Sequence, residues 1–102
     1  RNVPLEGLFS LQGEGLVVSA LKQSLAGDAV ILRLYNSLEV PVHLELTPGF
    51  AWHDACLSDV LEMSEDRERW QTNGNTFSLR CQPYEILTFK FWPARAEASI
   101  SK

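Results

Sequence analysis

The two histidines, His43 and His53, are the residues of this 102-residue chain best suited to metal binding or proton transfer. His53 is followed directly by Asp54, and an imidazole beside a carboxylate can serve either chemistry. Neither histidine has a third ligand or a nucleophile at a spacing that known metal or catalytic motifs use. His43 alternates with Glu45, which is typical of the solvated face of a strand. The sequence therefore predicts no catalytic, cofactor-binding or metal site in this chain.

Three tryptophans offer a different chemistry, because the flat apolar faces of sugar rings stack on indoles. Trp52 lies in a loop-like stretch, residues 50–54 (FAWHD), and is the best candidate for an exposed ring. Packing in the core or at its rim is the alternative explanation for Trp52, Trp70 and Trp92. We keep Trp52, His53 and Asp54 as one candidate contact site for a sugar or a protein partner.

The cysteines and the charged run suggest structure more than chemistry. Cys56 and Cys81 do not form a zinc-type CxxC motif. The alternation of residues 76–81 gives Cys81 the position of a small buried side chain, although a bridge to Cys56 is conceivable in a sandwich. The acidic residues of the stretch 59–69, interleaved with two arginines, predict a solvated loop or a solvated face.

Composition limits the class of protein. Apolar residues make up 45% and charged residues 22% of the chain, which is typical of one soluble globular domain. The net charge of −4 argues against a nucleic-acid partner, which requires a basic face. No apolar run approaches the roughly 20 residues of a membrane span. With no signal peptide visible, we expect a cytoplasmic protein without nucleic-acid or membrane partners.

Alternating apolar and polar residues predict the elements that must position these groups. In residues 39–46 (EVPVHLEL) every even position is aliphatic, so one strand face is buried. Pro41 lacks a backbone N–H, which predicts an edge strand or a bulge. The turn signal at Asn36 predicts a hairpin between this run and residues 28–36. Other strands are predicted at residues 16–22, 76–81 and 84–92, and residues 55–62 fit a strand better than a short helix.

Short strands at intervals of roughly 8–12 residues, with turn signals between them, are typical of a sandwich. We predict an all-β fold, an antiparallel sandwich of six to eight strands that is immunoglobulin-like in appearance. The predicted organisation is a leading segment with one possible strand (residues 1–14), the sandwich (residues 15–93) and a tail (residues 94–102).

The last predicted strand is apolar on both faces, which a sandwich strand seldom is. Leu87 and Phe89 belong to one face, whereas Ile86 and Trp92 belong to the other. The run 28–36 shows the same feature more weakly. Left uncovered, such a face would exceed the apolar patches that monomers usually expose. Either the first residues of the chain or another protein surface is expected to cover it.

Four segments taken in order resemble glycoside hydrolase family 38, whose members are retaining α-mannosidases. They are residues 17–22 (VVSALK), 28–36 (DAVILRLYN), 56–62 (CLSDVLE) and 83–91 (PYEILTFKF). Tyr84 stands where the family pattern more often has Phe. Within the family, the segments resemble most the cytoplasmic bacterial branch that hydrolyses mannosylglycerate or its phosphorylated form.

The resemblance implies a non-catalytic C-terminal β-sandwich domain that packs on the catalytic body of an α-mannosidase and shapes it. The partner would then be the rest of the parent hydrolase, and a mannoside would be met only indirectly. In this family a zinc ion and two carboxylates act in a separate catalytic domain, so no catalytic or zinc residue transfers to this chain. An independent carbohydrate-binding or protein-interaction module is the alternative.

Overall fold

The structure, a computed structural model, describes residues 8–59 and 61–94. Within them the chain forms eight strands and no helix. No membrane-crossing helix is found in this part of the chain. The strands are β1 (Phe9–Gln12), β2 (Leu16–Gln23), β3 (Val30–Asn36), β4 (Val42–Pro48), β5 (Trp52–Ser58), β6 (Gln71–Asn73), β7 (Thr76–Cys81) and β8 (Ile86–Pro93).

The strands form two four-stranded antiparallel sheets. The first sheet has the order β1-β4-β7-β6 and the second has the order β2-β3-β8-β5. The predicted all-β antiparallel sandwich is therefore confirmed. The strand order is not that of an immunoglobulin domain, in which the first two strands share a sheet. Here β1 and β2 lie in different sheets.

The core lies between the sheets and is centred on β8. Leu87, Phe89 and Phe91 alternate along this strand and are all buried, as their spacing predicts. The Trp70 ring stacks on Phe89 with centroids 5.8 Å apart and planes 10° apart, and it lies 4.5 Å from Phe77 of β7. Aromatic side chains of both sheets therefore interdigitate across the sandwich.

The predicted hairpin between β3 and β4 is wrong, because these strands belong to different sheets. The fully buried Asn36 marks the crossing point. Its Nδ2 donates to the carbonyls of Val40, Cys81 and Gln82, at 2.8, 3.3 and 3.1 Å, and its Oδ1 accepts from the Leu38 amide at 2.9 Å. This side chain satisfies backbone groups that a hairpin ladder would otherwise pair.

The prediction that Pro41 lies in an edge strand or at a bulge is also wrong. The strand begins one residue later, at Val42, and runs between β1 and β7 in the interior of the first sheet. Proline interrupts the ladder only within a strand, so its place just before β4 costs no ladder hydrogen bond. Val40, predicted to face the core, is consequently 53% exposed.

The outer face of the second sheet is covered in part by residues 61–66, here called the strap. At one sheet edge Leu57 of β5 exchanges two backbone hydrogen bonds with Asp66, of 2.8 and 2.9 Å. Towards the opposite edge, the Glu62 carboxylate accepts from the Leu25 amide at 2.9 Å and lies 3.5 Å from Lys22 Nζ of β2. The strap therefore passes over β3 and β8, which lie between these edges.

The strap covers part of the apolar outer face that the sequence predicts for the second sheet. Ile31 points away from the core and is nevertheless fully buried. The first residues of the chain are the other predicted cover. Residues 1–7 lie outside the described part, and β1 belongs to the first sheet. The predicted solvated loop is corrected at Glu62, whose side chain is only 4% exposed.

Candidate functional site

Trp52 lies at the start of β5 and is half-buried against the core. Its ring centroid is 5.1 Å from that of Phe77 and 6.1 Å from that of Phe91. The indole N–H donates to Asn75 Oδ1 at 2.8 Å. Packing and this hydrogen bond hold the ring in place, so only part of its surface remains accessible.

An open groove runs beside Trp52. The Asn75 amide, which accepts from Trp52, also donates to the Pro48 carbonyl at 3.0 Å. Among the described lining residues, the polar amide of Asn75 is thus engaged within the chain, and the other side chains offer apolar contact. The groove is lined by Pro48, Gly49, Phe50, Ala51, Trp52 and Asn75.

Asp54 and His53 follow Trp52 directly but have different surroundings. A register irregularity separates Trp52 from Asp54, which pairs with Trp92 across the sheet. Arg67 donates to both Asp54 oxygens, at 3.0 and 2.7 Å, and this hydrogen bonding holds the pKa of the Asp54 carboxyl below its usual range. His53 is exposed. Trp52 thus packs on the core, whereas Asp54 is paired on the other face of the sheet.

The other two tryptophans do not join Trp52 in one platform. Trp70 is buried between the sheets. Trp92 lies on the outer face of the second sheet, where its N–H donates to Asp28 at 3.2 Å. The Lys90 ammonium lies 4.9 Å from the Trp92 ring centroid. Core or rim packing therefore explains Trp70 and Trp92.

The histidines lie in different sheets. His43 Nε2 is 3.3 Å from a Glu45 carboxylate oxygen on the exposed face of β4. Among residues 8–59 and 61–94, no group of three or more His, Cys, Asp or Glu side chains could hold a metal ion.

Both cysteines are free thiols in the structure. Cys81 faces the core between the sheets, whereas Cys56 lies outside that core cluster, beside Lys90 in the register of β5 and β8. Burial raises the pKa of both thiols. The conceivable bridge between them is therefore not formed, and both act as small buried side chains.

A second candidate site is a surface and not a pocket. Val17, Tyr35 and Ile86 are cross-strand neighbours on the outer face of the second sheet. Val17 is 39% and Ile86 59% exposed, and the nearby Tyr84 is 63% exposed. We call these four residues the apolar row. The apolar second face of residues 84–92 was the sequence signal for it, although the sequence could not separate the row from the part beneath the strap.

Comparisons with known proteins agree with this architecture. The family model described as "Glycosyl hydrolases family 38 C-terminal beta sandwich domain" matches residues 15–89. No curated protein and no solved structure matches the chain. The matched residues are more than half of the chain and run from the residue before β2 into β8. The chain therefore belongs to the family of glycosyl hydrolase family 38 C-terminal beta sandwich domains.

Proposed function

We propose that this chain is a non-catalytic domain of an α-mannosidase-type glycoside hydrolase, and that it packs on the catalytic body and shapes it. The family match over residues 15–89 is the observation that carries the proposal. In this arrangement bond cleavage, with its zinc ion and two carboxylates, belongs to the catalytic domain. The sandwich contributes rigidity and a surface.

The surroundings of the candidate side chains support a structural role. Asp54, the carboxylate next to a histidine, is tied to Arg67 by two hydrogen bonds. A carboxyl held ionised in this way is a poor proton donor near neutral pH. The Trp52 ring is likewise fixed by Phe77, Phe91 and Asn75.

The test has two arms. The 102-residue chain is first assayed on an aryl α-mannoside with zinc present, and we expect no turnover above background. Turnover that disappears in His53→Ala or Asp54→Asn would overturn the proposal. The catalytic part of the enzyme is then assayed alone and with the purified sandwich chain added, and we expect the addition to raise its thermal stability or its activity. No effect at saturating sandwich chain counts against the packing role.

A carbohydrate-binding module is the second candidate, and the groove beside Trp52 is the observation that favours it. Apolar contact there would suit the face of a sugar ring, although Asn75 is not free to bind hydroxyls. Tryptophan fluorescence during titration with mannosides tests this. Saturable quenching that is lost in Trp52→Ala and kept in His43→Ala, a matched change on the first sheet, would favour binding. No response to any mannoside leaves the structural role.

A further inference from the structure

The two outer faces of the sandwich differ in character. On the first sheet, the outward residues of the central strands are polar, among them His43, Glu45, Arg80 and Ser78, which are paired across β4 and β7. On the second sheet, Val17, Tyr35 and Ile86 form one continuous apolar line across β2, β3 and β8. Neighbouring side chains in such a line lie close enough to act as one surface. Among the described residues, an apolar line of this kind is therefore found on the outer face of the second sheet, beside the polar row of Arg33 and Thr88.

Tyr84 lies two positions before Ile86 in the chain, in a strained turn. The Glu85 amide donates to the Gln82 carbonyl at 3.0 Å, which places Tyr84 at the third position of a tight turn. Its φ is 59°, a left-handed conformation that favours glycine and is unusual for an aromatic residue. The side-chain carboxylate of Glu85 also accepts a hydrogen bond from the backbone amide of Gln82 at 2.8 Å, so two hydrogen bonds join the first and last residues of the turn. The turn thus holds an aromatic ring in solvent in a conformation that glycine would adopt more easily.

A cleft opens beside the same line. It lies between the strap and the start of β8, and Ile86, Thr88, Ser58 and Ser64 line part of it. Ser58 Oγ is buried there without a hydrogen-bond partner among the described residues. Buried hydroxyls are normally paired, so this cleft suits a polar group supplied from outside the domain. The outer face of the second sheet therefore offers apolar contacts at the row and a polar contact at Ser58 in the adjacent cleft.

We propose that the apolar row is the surface through which this domain packs on the catalytic part of its own enzyme. This inference rests on the proposed function and names the face that performs it. Four side chains fall well short of the roughly 1,200 Å² that a stable complex of separate proteins buries. A covalently attached neighbour needs less, because its effective concentration is high. The match of residues 15–89 to a C-terminal domain of a glycosyl hydrolase family supports the rest of the same enzyme as this occupant. In this arrangement an apolar side chain of the enzyme lies over Tyr35 and Ile86, and a polar group reaches Ser58.

Cysteine labelling tests the face directly. Ile86→Cys probes the row, and His43→Cys is the matched probe on the outer face of the first sheet. Maleimide labelling of each site is followed by peptide mapping, in the 102-residue chain and in the complete enzyme. We expect Ile86→Cys to label at least about tenfold more slowly in the enzyme than in the chain, and His43→Cys to label equally in both.

The outcomes separate this inference from the proposed function. Equal labelling of Ile86→Cys in chain and enzyme overturns the inference. Protection of His43→Cys alone also overturns it, but it leaves the packing role intact through the opposite face. Slower labelling of Ile86→Cys at rising concentrations of the 102-residue chain by itself would assign the row to a second copy and likewise overturn the inference.

Tyr84→Gly supplies an independent measurement. In the isolated chain this variant relieves the strained φ, so we expect its melting temperature to be unchanged or raised. In the complete enzyme the same variant removes a packing ring, so we expect a lowered melting temperature and faster labelling of Ile86→Cys. A change of the same sign in both would contradict a role for Tyr84 at the interface.

Discussion

Arg69 and Glu85 form a bidentate ion pair that joins the segment before β6 to the turn before β8. The guanidinium donates to the two carboxylate oxygens at 2.6 and 2.7 Å, and it also donates to the Arg80 carbonyl at 2.9 Å. Parallel hydrogen bonds of this kind are stronger and more directional than a single contact. The pair therefore fixes the turn that carries Tyr84.

Glu85 should make the stability of the domain depend on pH. Hydrogen bonding from Arg69 holds the pKa of its carboxyl below the usual range. A depressed folded-state pKa contributes stability above the unfolded pKa of about 4.3, and this contribution is lost as the pH falls towards the folded value. We expect Glu85→Gln to lower the free energy of unfolding by about 1 kcal/mol at pH 7, a modest value because solvent screens the half-buried pair.

Urea denaturation at several pH values between 7 and 3 measures this difference. The gap between wild type and Glu85→Gln should close as the pH falls below about 4. Glu39→Gln removes a carboxylate from an exposed position and serves as the control. A gap that stays constant across this range would show that the ion pair does not account for the effect.

Phe89 is the side chain whose loss should destabilise the domain most. It is fully buried and stacked on Trp70. Phe89→Ala leaves a cavity and should cost about 3–5 kcal/mol, whereas Phe89→Leu keeps most of the volume and should cost markedly less. Thermal melts measure the difference, with an expected loss of more than about 12 °C for the alanine variant. Equal melting of the two variants would contradict a tightly packed site at Phe89.

The strands and their inward faces could be predicted from the sequence because a strand's pattern is local. Alternation in β8 identifies Leu87, Phe89 and Phe91 as core residues without knowledge of any partner strand. The same pattern gives no information on which sheet a strand joins. The predicted hairpin between β3 and β4 is wrong for this reason. The hydrogen bonds of Asn36 at the end of β3 go to Cys81 and Gln82, which are 45 and 46 positions away in the sequence.

The exposed and covered parts of the outer face also could not be predicted from local sequence patterns. Both faces of β8 are apolar in sequence. The contact between Glu62 and Lys22 determines which part of the outer face lies beneath the strap. The spacing of the acidic residues does not distinguish Glu62, whose side chain is buried, from Glu65, whose side chain is exposed. The partner of Glu85 is similarly fixed by tertiary structure, because several arginines of the chain could reach it on sequence grounds.

Asn36 should be sensitive even to a nearly isosteric change. Asn36→Ala leaves three carbonyls without their donor and should cost about 2–3 kcal/mol. Asn36→Asp places a carboxylate against the same carbonyls, which raises its pKa, so this variant should be more stable at pH 4 than at pH 7 relative to wild type. Urea denaturation at both pH values measures this. An Asn36→Asp penalty that is equal at both would contradict the hydrogen-bond assignment.

The strap should control access to Cys56. This thiol is fully buried, and the Glu62 carboxylate holds the far end of the strap on Leu25 and Lys22. Glu62→Ala removes both contacts and should release the strap, so Cys56 should react faster with a thiol reagent. Glu62→Gln keeps an acceptor for the Leu25 amide and should give an intermediate rate.

Peptide mapping after brief labelling assigns the rates, with Cys81 as the internal reference because it faces the core between the sheets. Local release exposes one thiol, whereas global unfolding exposes both. Faster labelling at Cys56 alone is therefore the expected result. Parallel acceleration at both cysteines, or none at Cys56, would show that the Glu62 contacts do not hold the strap over this face.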